Sequence, residues 1–186
     1  LEREHRPIPF DAGVALIAAG LAPLGEDYLA IMRRGIAARW ADPWPNIGKG
    51  GGAFSSGVQG THPFISMTNG NDLGGVSTLA HELGHSMHSY YSWQAQPWVY
   101  SSYSLFVAEA ASNMHQALLG AHLLETTDDP HLLLAVIEER MGNHLRYLFT
   151  MPILARFELD CHERVERGEA LSAEGMTAAL ADLYRQ

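Results

Sequence analysis

A length of 186 residues with 47% hydrophobic content fits a soluble globular chain with room for one domain and its own core. Twelve basic against 21 acidic residues leave a formal net charge of -9, which argues against a nucleic-acid surface and against an anionic membrane as partner. A lone Cys161 excludes an internal disulfide and points to a reducing compartment. No secretion signal is present, and the apolar run Gly13 to Ala22 is too short to span a bilayer, so the expected location is cytoplasmic.

The first ten residues, with Pro7 and Pro9, read as an irregular lead-in. Asp11 is placed to cap a short helix running to Ala19. Pro23 opens a second helix to about Trp40, whose apolar face is Tyr28, Ile31, Met32 and Ile36, and Asp42-Pro-Trp-Pro-Asn46 ends it. Residues 47–75 hold nine glycines, and the extended runs Ala53-Phe54-Ser55 and Pro63 to Met67 lie between turn-forming residues. This predicts two or three short strands, a small sheet beside the helix that follows. The Phe64–Met67 strand either pairs with an extended peptide or simply covers the core. Gly48-Lys-Gly-Gly-Gly52 does not have phosphate-loop spacing, and no helix follows it directly, so it reads as a loop.

A helix predicted from about Thr78 to Tyr91 carries His81-Glu82-Leu83-Gly84-His85. Residues i and i+4 share a helix face, so His81 and His85 can grip one zinc ion from the same side. Glu82, about 100° round the helix, is placed to act on a water as general base and is not positioned to bind the metal squarely. His88 lies on the same face, but seven residues of helix rise about 10.5 Å, too far for three ligands of one ion. The third ligand therefore comes from another segment. Glu109 is the candidate: it is a carboxylate in the otherwise nearly uncharged helical run Tyr103 to Leu119, where a metal would offset the cost of burying it. Ser112 and Asn113, one turn on, are candidates to hydrogen-bond a ligand.

Thr126-Thr-Asp-Asp-Pro130 reads as a solvated turn. A long helical segment follows, with Leu133, Val136, Ile137, Met141, Leu145 and Leu148 in register, a kink or break at Pro152, and a resumption from Phe157 to Arg167 that Gly168 terminates. Ser172 caps a last helix through Tyr184, and the charges between Glu158 and Glu169 mark a solvated face. His5, His62, His115, His122, His131, His144 and His162 show no shared ligand spacing.

The run His81-Glu-Leu-Gly-His-Ser-Met-His88, followed by Ser104-Leu-Phe-Val-Ala-Glu-Ala-Ala-Ser112, resembles the oligoendopeptidase F and thimet oligopeptidase family of zinc metallopeptidases. Gly48–Ser55, His62–Thr68, Arg146–Glu158 and Glu166–Gly168 extend the likeness from about Leu21 to Tyr184. The resemblance implies a mainly helical, zincin-like catalytic domain with one zinc ion held by His81, His85 and Glu109, Glu82 as catalytic base, and short unstructured peptides as substrates. The family's Tyr- and Gly-rich segment, which carries a His and donates to the tetrahedral intermediate, has no counterpart before Gln186, and its N-terminal lobe is absent too. The expectation is a fragment of a longer enzyme, weakly active or inactive alone. Its last helices would expose Leu171, Met176, Leu180 and Tyr184, a surface for the remainder of the enzyme or for self-association. The competing readings are a catalytically silent zinc-binding structural or interaction module and a zinc hydrolase of non-peptide substrates.

Overall fold

The computed structural model describes residues 7–186; His5 and the start of the lead-in lie outside the described residues. Seven α-helices and a three-stranded sheet are described: α1 (Phe10–Gly20), α2 (Glu26–Ala37), β1 (Ala41–Asp42), β2 (Phe54–Ser56), β3 (Phe64–Ser66), α3 (Leu73–Ala95), α4 (Leu105–Thr126), α5 (Pro130–Leu145), α6 (Met151–Glu166) and α7 (Ala173–Tyr184). The architecture is mainly α, as expected. No helix among the described residues is long and apolar enough to cross a membrane.

The chain divides into two compact units, residues 1–136 and 137–186. In the first, α3 and α4 pack along their length around Leu79, Leu83, Met87, Leu119 and Leu123, with Ile17 of α1, Leu21 just after it and Met32 of α2 closing the core. The two helices run antiparallel. Ser77 of α3 meets Gln116 of α4, Gly84 meets Ser112, and Ser89 meets Tyr103.

Several boundaries differ from the sequence reading for local reasons. Asp11 sits inside the first turn of α1, favourable there beside the helix N-terminus, and Pro9 occupies the cap position. Pro23 belongs to a short 3₁₀ turn, Ala22–Leu24, and α2 begins after it. This helix stops at Ala37 because Arg39 takes φ 60° and the Trp40 amide bonds back to the Gly35 carbonyl at 3.0 Å. The Trp40 ring then lies where a side chain at position 35 would be, so only glycine fits there. Trp40 feeds directly into β1, a strand the sequence reading did not place.

The strand order is β1-β3-β2, with β1 parallel and β2 antiparallel to β3. Of the two readings of the Phe64–Met67 strand, this excludes the peptide-binding edge and leaves the strand that covers the core, with Ile65 and Met67 buried. That strand is central and paired on both sides, so the free edges belong to β1 and β2. Ser55 of β2 ties the sheet to the metal-motif helix through a 2.8 Å hydrogen bond to Ser86. Lys49 of the glycine-rich loop donates to the Asp42 and Trp44 carbonyls at 2.9 and 2.8 Å, a loop staple and not a phosphate cradle.

In the second unit, the helical run does not break before Pro152. It passes through a π-helical turn, Arg146–Thr150, in which the Met151 amide bonds five residues back to the Arg146 carbonyl. Pro152 has no N–H and crowds the carbonyl four residues earlier, and the wider turn absorbs that mismatch. Ser172 caps α7 through the Gly175 amide at 3.1 Å, as read from the sequence. Leu171, Met176 and Leu180 are half-buried, and of the four residues expected at the surface only Tyr184 is exposed. The larger exposed apolar side chains of this unit are Met141, Leu145, Leu148, Phe149, Leu159 and Val165.

Candidate metal centre

The metal-motif helix is longer than predicted. Asp72 caps it by accepting from the Gly75 amide at 2.8 Å, which starts α3 at Leu73 and not at Thr78. His81 and His85 therefore sit in mid-helix, held by hydrogen bonds of the ladder on both sides and unaffected by fraying ends.

Their separation from Glu109 depends on one close approach. Gly84 backs onto α4, and a Cβ there would lie 2.6 Å from the Ser112 Cα and 2.8 Å from the Ala111 carbonyl oxygen. Removing that carbon lets the two backbones come together, and Glu109, one turn before Ser112, then meets both imidazoles. His85 Nε2 lies 3.2 Å from His81 Nε2, Glu109 Oε2 lies 3.4 Å from His81 Nε2, and Glu109 Oε1 lies 3.7 Å from His85 Nε2. Atoms bound about 2.1 Å from one tetrahedral zinc lie about 3.4 Å from each other, so these spacings, one histidine facing each carboxylate oxygen, are of the size that a single ion needs. Among the described residues, His81, His85 and Glu109 are the one group of His, Cys, Asp and Glu assembled closely enough for a metal. His88 is not in it; its ring stacks on Tyr103 at 3.8 Å and 13°.

Helix α4 also sets the orientation of both imidazoles. His81 Nδ1 lies 2.9 Å from Gln116 Oε1, and the Gln116 amide donates to Ser77 Oγ at 2.8 Å. Because a carboxamide oxygen can only accept, the proton sits on His81 Nδ1 and leaves Nε2 with a free lone pair. His85 makes a hydrogen bond to the Ala108 backbone. Burial and the neighbouring His81 and His88 rings push its pKa below the ordinary histidine value, which favours the neutral form that binds metals.

Ser112 donates to Glu109 Oε2 at 2.9 Å, one of the two contacts considered from the sequence. No such hydrogen bond from Asn113 is found among the described residues. The sequence reading overlooked Gln116. Its signal was present, since Glu109, Ser112 and Gln116 recur at i, i+3 and i+7 and so line one face of α4. His115, which the sequence showed only to lack a shared ligand spacing, has a defined place. It is buried at 2% exposure, with Nδ1 at 3.1 Å from the Ala80 carbonyl and Nε2 at 2.6 Å from the Tyr28 hydroxyl.

Glu82 lies beside the cluster at 5% exposure, and its Oε2 is buried with no hydrogen-bond partner among the described residues. Burial raises its pKa, the His81 ring opposes that, and Glu109 adds to it. An unsatisfied buried carboxylate oxygen is costly in a structural position, and this one is close enough to His81 and Glu109 for both to act on its charge.

The model of peptidase family M3 matches residues 13–186. The chain is 38% identical over 190 residues to oligopeptidase PepF of Bacillus subtilis (strain 168), an alignment covering 98% of this chain and 28% of that protein. It is 32% identical over 179 residues to an oligoendopeptidase F homolog of Borreliella burgdorferi, covering 95% of this chain and 30% of the relative. A crystal structure from Chlamydophila abortus, described as a peptidase, superposes with a TM-score of 0.76 at 32% identity, over 97% of this chain and 31% of its own. The chain thus spans under a third of the length of the proteins it matches.

Proposed function

This chain belongs to peptidase family M3, and from that premise we propose that it is the catalytic portion of a zinc-dependent endopeptidase acting on short, unstructured peptides. The observation that carries the reading is the cluster of His81 Nε2, His85 Nε2 and the two Glu109 carboxylate oxygens, with contacts of 3.2 to 3.7 Å. Zinc held there would polarise the scissile carbonyl and make an adjoining water acidic enough to react near neutral pH.

The chain's own residues supply the rest. His81 offers its Nε2 lone pair because Gln116 Oε1 accepts the Nδ1 proton, and the His85 ring is held by a hydrogen bond to the Ala108 backbone. Glu109 brings one negative charge and is kept in place by Ser112 Oγ. Glu82 accepts the proton of the attacking water and returns it to the leaving amine, the two transfers expected of one general base in peptide hydrolysis. Its burial keeps bulk water from competing for that carboxylate. The donors to the developing oxyanion belong, in this reading, to polypeptide outside these 186 residues. The lone Cys161 fits a cytoplasmic setting.

The test is cleavage of a fluorogenic short peptide by the zinc-loaded chain, alone and lengthened with the C-terminal segment of a full-length relative. Turnover that needs zinc and disappears in Glu82→Gln supports the reading. One equivalent of zinc without turnover in either form would instead favour a silent metal-binding module. Turnover only of non-peptide esters or amides would favour a different zinc hydrolase.

A further inference from the structure

Resting on the metal-site reading above, we propose that Gln116 is a positioning residue for the metal, and that its uncharged amide sets the affinity of the site below what a carboxylate at the same position would give.

The geometry makes Gln116 a two-ended clasp. Its Oε1 is 2.9 Å from His81 Nδ1 and its Nε2 is 2.8 Å from Ser77 Oγ. Ser77 lies on α3 one turn before His81 and is buried at 5% exposure, so the amide is anchored from behind by the same helix whose histidine it orients. In the structure the amide nitrogen sits on Ser77 Oγ and the amide oxygen on His81 Nδ1. With the nitrogen engaged by a hydroxyl oxygen, the carbonyl end faces the imidazole and only the Nδ1–H tautomer of His81 makes that bond. A flipped amide would face His81 with a donor, move the proton to Nε2, and close the lone pair directed at Glu109.

The charge of the clasp matters separately from its shape. An anionic acceptor behind a ligating imidazole draws the Nδ1 proton more strongly and makes Nε2 a better donor to a cation, whereas an amide orients the ring with less electronic effect. His81 therefore depends on Gln116 for direction and gains little basicity from it.

The measurement is zinc affinity by competition with a chelator of known strength, using wild type, Gln116→Leu, Gln116→Met and Gln116→Glu. Circular dichroism checks the fold, and long-range ¹H–¹⁵N spectra of the apo protein, with His81→Ala for assignment, report the His81 tautomer. The expected result is a loss of about 10- to 100-fold in Leu and Met and tighter binding than wild type in Glu. The Nδ1–H tautomer of His81 should persist in wild type and Glu and be lost in Leu and Met. If Gln116 only glues α3 to α4, all three variants alter stability while the folded protein keeps wild-type affinity and tautomer, and the inference fails. Weaker binding in Glu than in wild type overturns the part concerning charge. If wild type itself binds no zinc, the metal-site reading fails first, and the two failures are told apart.

Discussion

Gly84 and Ser112 stand backbone to backbone: a Cβ on Gly84 would come within 2.6 Å of the Ser112 Cα. This contact sets the distance between α3, which carries two of the candidate ligands, and α4, which carries the third. Gly84→Ala should separate the helices. The expected outcome is a stability loss of about 1–3 kcal/mol by overpacking, with zinc affinity reduced because Glu109 retreats from both imidazoles. Denaturant unfolding and chelator competition measure the two effects, and unchanged affinity would show that the close approach does not govern the site.

Loss of one ligand should cost most of the metal. His85→Ala leaves His81 and Glu109, and two ligands rarely hold zinc against a chelator. Metal analysis after dialysis against a mild chelator should find near-stoichiometric zinc in wild type and little in the variant. Full occupancy in His85→Ala would remove that residue from the site.

Glu82→Gln should separate binding from chemistry. The amide has nearly the same shape, and Glu82 is not one of the three clustered donors, so zinc content should be preserved. Turnover in any active form should fall by at least about 10² to 10⁴, the usual contribution of a general base. Equal rates for the two proteins would refute the assigned role.

His115 should leave a pH signature in stability. Burial is the main cause that lowers its pKa from 6.5 to about 4, with the His81 and His85 rings adding to the effect against the Ala80 hydrogen bond. From pH 6.5 down to about 4 the unfolded chain takes up a proton that the folded chain refuses, so stability falls as the pH drops through that window. The contribution is on the order of 3 kcal/mol. Urea unfolding of the metal-free protein between pH 4 and 7.5 should show this slope, flattened in His115→Gln. Parallel profiles for the two proteins would contradict it.

The start of α4 and the turn before it expose Trp98 at 64%, Val99 at 78%, Leu105 at 84% and Phe106 at 90%. Exposed apolar surface of this extent promotes association. Sedimentation velocity on the 186-residue chain should show concentration-dependent self-association, weakened by Leu105→Ser with Phe106→Ser. A monomer at every accessible concentration would argue that these residues are harmless in solution.

The metal motif was legible in the sequence because its chemistry is local. The i, i+4 spacing puts His81 and His85 on one face of a helix whatever that helix packs against, and an isolated carboxylate in the apolar run around Glu109 stands out by composition alone. The mainly helical architecture followed from 3.6-residue periodicity, and the small sheet from glycine-bounded extended runs. Tertiary structure decided what depends on contacts between distant segments. Strand order made β3 central and left the edges to β1 and β2, because register is chosen by pairing and not by propensity. Trp40 ended α2 by folding back over Gly35. Gly84 acquired its meaning only when Ser112 was found behind it, and Gln116 and His115 only when α4 lay antiparallel to α3, since a polar side chain on a helix shows no partner until the facing helix supplies one.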